Sequence, residues 1–297
     1  MTWKRLKGRL FRIAGPNAYR ALHALYFFLR MVLAVLSLRS GSVVSAARPP
    51  AGPPPSPGTL ADRFFGRDLM AFAARLKPGD RVLDIGAFLG GSTVLFGRAV
   101  RVTGKVIAFE PVHHRLLRLI LRPFRLRQVA VEPLALAAEN GTTELVIPIH
   151  NGVPLYSQSG FSESYAALGS GSAAGSAGSE YVFQKLPTAL MRLDDYLARA
   201  GIEPESLAAV KIDVEGSEMG VFAGGEDFFR RFRGFLMCEF WFDAMPPKGW
   251  SWLRERGYSC RYLNRQGLWV AADTAEELTA ICRGETYGNF FWERAGS

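Results

Sequence analysis

Four histidines and three cysteines are all that this 297-residue chain offers as imidazole or thiolate metal ligands. Cys238, Cys260 and Cys282 are odd in number and form no CxxC pair, which argues against a disulfide framework and against a paired-thiolate zinc site. They read as small core hydrophobes in a reduced, cytoplasmic setting. Acidic residues are missing from positions 1 to 58, where nine basic ones stand: Lys4, Arg5, Lys7, Arg9, Arg12, Arg20, Arg30, Arg39 and Arg48. The net charge of +9 is therefore a property of that segment, since the rest of the chain holds 27 basic and 27 acidic groups. A main domain with no net charge exerts no bulk attraction on nucleic acid. A clean membrane-spanning run is missing too. Residues 18 to 38, AYRALHALYFFLRMVLAVLSL, come nearest, but Arg20, His23 and Arg30 interrupt them, and a central Arg costs about 2.5–3.5 kcal/mol on insertion scales. Three readings of this segment stay open. One is an interfacial helix drawn to anionic lipid by MTWKRLKGRLFR, another a secretory signal interrupted by Arg39, and the third a plain packing helix.

What the chain does have is apolar content, 48% of residues with 12% aromatic, enough for a sizeable core. Three regions follow from composition: a basic, apolar helical segment over 1–47, a stiff Pro-rich linker over 48–60 containing RPPAGPPPSPG, and a single catalytic-sized domain over 61–297. GSGSAAGSAGS at 169–179 cannot build a core and reads as a loop, either an idle insertion or a lid.

From about residue 62 helix and strand patterns alternate. DRFFGRDLMAFAARL, STVLFGRAV, HHRLLRLILRPF, RLDDYLARAG, the stretch after Ser217 and WSWLRERG read as helices. RVLDIG, KVIAFEP, QVAVEPLAL, AAVKIDVEG, GFLMCEF, YSCRYL and LWVAA read as strands, and TTELVIPI as an extension able to form a hairpin. This alternation predicts right-handed βαβ units and a parallel sheet covered on both faces.

Two motifs carry chemistry. The first strand runs into DIGAFLGGST, where Asp84, Gly86 and Gly90 precede a helix, so that backbone can approach a ligand closely and free N–H groups face it. Glu110 ends the next strand, placed to accept ribose hydroxyls. Both a nicotinamide dinucleotide and S-adenosylmethionine suit such a pair. The spacing of Gly86 and Gly90 departs from the G-x-G-x-x-G of pyrophosphate binding, and Asp84 suits the charged amino group of a methionine moiety, which favours the methyl donor. The second motif is VKIDVEGSE at 210–218, which alternates Lys211, Asp213 and Glu215 with Val210, Ile212 and Val214. In a sheet covered on both faces such a charged row needs partners or a task.

The order VLDIGAFLG, IAFEP, LALAAENG, RLDDYL, VKIDVEGSEMGVFAGG, LMCEF resembles the FkbM family of S-adenosylmethionine-dependent O-methyltransferases over residues 80 to 241. The resemblance implies a class I Rossmann-like α/β fold, with a mostly parallel seven-stranded sheet and helices on both faces, here preceded by a helical segment. It implies a cofactor site at Asp84, Gly86, Ala87, Gly90, Glu110 and Pro111, with Ala135 and Glu139 near the adenine. Two departures stand out: Phe88 occupies a place where the family often has Asn, and Glu139 follows by one step the family's acid near position 138. The acceptor class, a hydroxyl of a sugar, glycolipid or secondary metabolite, comes from the resemblance alone, and a membrane-associated N-terminus would favour a lipid-linked saccharide at the inner face of a membrane. A nicotinamide oxidoreductase and a non-catalytic scaffold are the rival readings.

In a parallel sheet ligands sit beyond the carboxyl ends of the strands. Asp213 and Glu215 are therefore the expected base and orienter for an acceptor hydroxyl, with Lys211 as counter-charge and Glu239, ending the next strand, completing the cluster. Glu218 suits a first-turn helix cap, Asp194 and Asp195 an N-cap, and His113 and His114 a solvated helix start. Trp241 suits a wall of the acceptor pocket or a core position. Asp213, Glu215 and Glu239 could also hold a hard divalent cation, but no His or Asn joins them at ligand spacing, so no metal is the expectation.

Overall fold

The structure is a computed structural model that describes residues 25–36, 64–150, 153–154, 160–161, 181–241, 245–285 and 287–294. The Pro-rich segment at 48–60 and the Ser/Gly stretch at 169–179 lie outside the described residues. In chain order, helix α1 (25–36) and helix α2 (Arg67–Arg75) precede β1 (Arg81–Ile85), α3 (Gly91–Val100), β2 (Lys105–Phe109), α4 (His114–Leu121) and β3 (Val129–Glu132). Then come β4 (Ala135–Leu136), β5 (Gly141–His150), β6 (Val153–Pro154), β7 (Gly160–Phe161), β8 (Tyr181–Met191) and α5 (Leu193–Ala200). The second half runs β9 (Ala209–Ile212), α6 (Glu218–Gly224), α7 (Glu226–Arg231), β10 (Phe235–Trp241), α8 (Met245–Glu255), β11 (Tyr258–Leu263), β12 (Trp269–Ala272), α9 (Ala275–Glu285) and β13 (Tyr287–Arg294).

The main sheet has eight strands in the order β12-β11-β13-β10-β9-β1-β2-β3. Strands β3, β2, β1, β9 and β10 pair in parallel, while β13 runs antiparallel between β10 and β11, and β12 antiparallel to β11. The seven-strand plan is present, and β12 adds an eighth at the edge. Strand alternation sorts the core into two sides. Val82, Val106, Ala209 and Met237 pack with α1, α2, α3 and α4, whereas Leu83, Ile107, Val210 and Leu236 pack with α5 to α9. The charged row of β9 shares the first of these sides, because Lys211 has the parity of Ala209.

Three features differ from the pattern read in the sequence. TTELVIPI does not extend the main sheet. It forms β5 of a separate five-stranded sheet, in which β8 pairs antiparallel along its whole length and also carries β4. Residues 287–294 make a strand buried among aromatics, with Phe290, Phe291 and Trp292 almost wholly covered. Asp194 caps a helix other than its own: its carboxylate accepts the N–H groups of Asp227 at 3.1 Å and Phe228 at 2.9 Å, at the start of α7.

Helix α1 lies on the first core side, where Met31, Ala34 and Val35 are buried and Phe28 meets Phe124 edge-on. No helix among the described residues is long and apolar enough to cross a membrane.

The turns after β1 and β9 touch backbone to backbone. A Cβ added at Gly86 would stand 1.8 Å from the carbonyl oxygen of Asp213, and Gly86 has φ +82°. Both clash and conformation exclude any other residue. Gly86→Ala is expected to cost more than about 2 kcal/mol of stability, as chemical denaturation would show.

Candidate active site

The site is organised around a buried ammonium. Asp84 of β1 and Lys211 of β9 are register partners on adjacent parallel strands, so their side chains leave the same face. The Lys211 Nζ donates to the Gly86 carbonyl at 3.0 Å, lies 3.2 Å from Asp213 Oδ2 and 3.6 Å from Asp84 Oδ1. Burial works to lower its pKa, but the carboxylates of Asp213, Asp84 and Glu239 outweigh burial and hold it above its ordinary value. Asp84 has no exposed surface and accepts the hydroxyls of Ser92 at 2.8 Å and Thr93 at 2.6 Å. It fastens the start of α3 to the sheet and does not line the neighbouring cleft.

That cleft, of about 180 Å³, opens at the carboxyl ends of β1, β2 and β9. Gly86, Phe88, Glu110 and Pro111 form one side, Ala135 and Leu136 a second, and Asp213, Glu215 and Ser217 a third. Leu145 reaches in from the five-stranded sheet. Glu110 is held rigidly: its Oε1 accepts the N–H groups of Val112 and His113, each at 2.8 Å, and its Oε2 accepts Phe88 N–H at 2.8 Å. One lone-pair direction of Oε2 remains for a ribose hydroxyl. Together with the apolar wall of Leu134 and Leu136, this donor set fits a nucleoside better than a metal ion. Among the described residues no cluster of His, Cys, Asp or Glu is arranged to hold one.

Of the other residues expected at the cofactor, Ala87 and Gly90 shape the turn without lining the cleft, and Glu139 is solvent-exposed outside it. Sequence reasoning missed Phe88 and His113. Phe88 has φ +49°, a left-handed conformation that Asn tolerates and that costs Phe about 1–2 kcal/mol. Its ring stands 5.1 Å from that of His113, edge to face, and 6.3 Å from Phe27 of α1. His113 is therefore a half-buried wall residue, 3.5 Å from Glu110 Oε1, rather than a solvated turn. The signal that marks Phe88 is its departure from the Asn usual at that place.

The acids of the second motif separate into roles. Asp213 and Glu215 line the cleft, and Glu215 takes φ +56°, strain concentrated where the chain turns its carboxyl inward. Burial, then the charges of Asp213 and Glu218, push the Glu215 carboxyl up to about 8, and its Oε2 has no partner. Glu218 does not cap its helix. Its Oε1 reaches back to accept the N–H groups of Val214 at 3.1 Å and Gly216 at 3.3 Å, clamping the turn that carries Asp213 and Glu215, and burial pushes it up to about 7. Glu239 is raised by burial and by Asp213 and Glu215, to about 9, and lies outside the cleft lining. The Trp241 indole N–H is buried without a partner and also lies off the lining.

Comparison with known proteins bears on this site. The model of the Methyltransferase FkbM domain matches residues 84–260. The sequence matches no curated protein. Among solved structures, the chain is 12% identical to a putative O-methyltransferase from Klebsiella pneumoniae, covering 98% of this chain and 97% of that one at a TM-score of 0.41. It is also 12% identical to precorrin-6y C5,15-methyltransferase from Geobacter metallireducens GS-15, covering 78% and 89% at 0.40. Methyltransferase FkbM from Methylobacillus flagellatus KT is again 12% identical, covering 75% of this chain and 49% of that one at 0.34. The family match spans well over half of the chain and contains every residue of the buried ammonium site, and on it the chain belongs to the FkbM methyltransferase family, whose methyl donor is S-adenosylmethionine.

Proposed function

We propose that this chain transfers a methyl group from S-adenosylmethionine to a hydroxyl of a sugar, glycolipid or secondary metabolite. The observation that carries the reading is that Asp213 and Glu215 share one cleft with Glu110, so a nucleoside-binding acid and a pair of acids for the acceptor face the same space. Glu110 would accept a ribose hydroxyl, with Gly86, Pro111 and Ala135 shaping the space around the cofactor. The bound cofactor supplies an electrophilic methyl on a positively charged sulfur.

The chain's own residues then handle the acceptor. Its hydroxyl must lose a proton as oxygen gains carbon, and the Asp213 carboxylate, partly open to the cleft and steadied by Lys211, is the group placed to take it. Glu215, protonated at neutral pH by its buried surroundings, donates a hydrogen bond that orients the acceptor. Lys211 keeps Asp213 turned toward the cleft and sets its distance from the Gly86 carbonyl. A lipid-linked saccharide met at the inner face of a membrane is the narrower form of this reading, supported by the basic first 58 residues.

Calorimetry with S-adenosylhomocysteine against NADH tests the cofactor, and mass spectrometry for the gain of one CH₂ on an extract tests the reaction. Tight NADH binding would sink the proposal. Asp213→Asn, which keeps a hydrogen bond to Lys211, is expected to lower kcat by about 10²–10⁴-fold while leaving S-adenosylhomocysteine affinity within about threefold. Glu218→Ala releases the Val214 and Gly216 N–H groups and should cost about 1–3 kcal/mol of stability together with activity. Glu218→Gln, whose amide oxygen can accept both, should restore most of each; equal losses in the two variants would refute the clamp. The pH dependence has a definite sign. Glu215, Glu218 and Glu239 ionise near 4.5 when unfolded and near 7 to 9 when folded, so the native state binds more protons over that interval. Stability is complete below about pH 4.5 for these groups and falls as pH rises through 7 to 9, and thermal melts should show a decline that Glu239→Gln makes shallower.

A further inference from the structure

We propose that the outer face of α1 docks on an anionic lipid surface. A helix laid on a protein normally turns a polar face to water. Here the outer face carries Leu25, Leu29, Leu33 and Leu36, which are 51 to 74% exposed, while Met31, Ala34 and Val35 on the inner face are buried in the core. Spacings of four, four and three residues set the leucines in one stripe along the helix. With its inner face buried in the core the helix lies along the protein, so the stripe suits a helix lying in the interface.

Charge decides the occupant. All of the chain's excess positive charge falls within the 58 residues that contain this helix, where no acid stands, and the remainder is balanced. Arg30 is exposed beside the stripe and rests over the rings of Tyr26 and Phe64. An apolar stripe set in an acid-free basic segment is complementary to acyl chains beneath anionic phosphates, rather than to the neutral body of a second copy of this chain.

Position links docking to the site. Phe27 on α1 meets Phe88, which lines the cleft and donates its N–H to Glu110. The docking helix thus rests directly on a turn that lines the cleft. This inference deepens the membrane part of the reading above and is independent of its chemistry.

The test uses the full chain, since α1 belongs to the core. Sedimentation with phosphatidylglycerol vesicles and with phosphatidylcholine vesicles, at about 0.1 M and about 0.5 M salt, is compared for the wild type and for the double variant L29Q/L33Q. Expected is binding to the phosphatidylglycerol vesicles that weakens with salt and falls at least about tenfold in the variant, whose melting temperature and S-adenosylhomocysteine affinity stay at wild-type values. Equal vesicle binding by wild type and variant would overturn the proposal. So would no vesicle binding, or a dimer in light scattering that the leucine substitutions dissolve. Vesicle binding without S-adenosylhomocysteine binding would leave the docking surface standing and remove the methyl-transfer reading.

Discussion

A lysine ammonium with almost no access to water is the constraint on which this site depends. An isolated charge of that kind is too costly to bury, and here it is tolerated because two carboxylates and a carbonyl converge on it from different strands. Each partner is thereby fixed. Asp84 is turned away from the cleft and toward the hydroxyls that open α3, Gly86 must point its carbonyl inward, and Asp213 is held at the strand end. The register of β1 against β9 determines all three at once, since a slip of one residue would send Lys211 to the opposite face of the sheet.

Around this centre the negative groups outnumber the positive one. The excess is relieved by protonation: burial together with mutual repulsion lifts Glu215, Glu218 and Glu239 above the ordinary carboxylate range. Like residues thereby acquire unlike properties within a short space. Asp213 keeps the cation beside it, Glu215 gains a proton to donate, and Glu218 uses an oxygen to hold the turn. A left-handed backbone at Glu215 adds strain that only a fully determined surrounding sustains.

Much of the scaffold was legible because buried parallel strands are written as short apolar runs ending in glycine or acid. RVLDI, KVIAF and FLMCEF are of this kind, and the acids near the ends of the first two mark the edge of the sheet at which the cleft opens. Other elements were hidden for physical reasons. Pro187 sits inside β8, where it gives up a ladder donor and reads as a break. The strand β13 is covered on both faces and shows an aromatic run with no alternation. The inward turn of Asp84 depends on a lysine far along the chain, and no local pattern carries that information. Glu218 looked like a cap because it opens a helix, yet its oxygen is used by the preceding turn.

The five-stranded sheet has its own hydrogen-bond ladder, separate from that of the main sheet, and it occupies the chain from β4 to β8. Among the described residues it gives the cleft Ala135 and Leu136 from β4 and Leu145 from β5. Strands β5 and β8 can therefore lengthen, shorten or change their facing residues without altering the register that holds Lys211. Within this architecture the far wall of the cleft and the buried lysine that organises its near wall rest on separate ladders: one is free to vary in length and facing residues, while the other is bound to the main sheet.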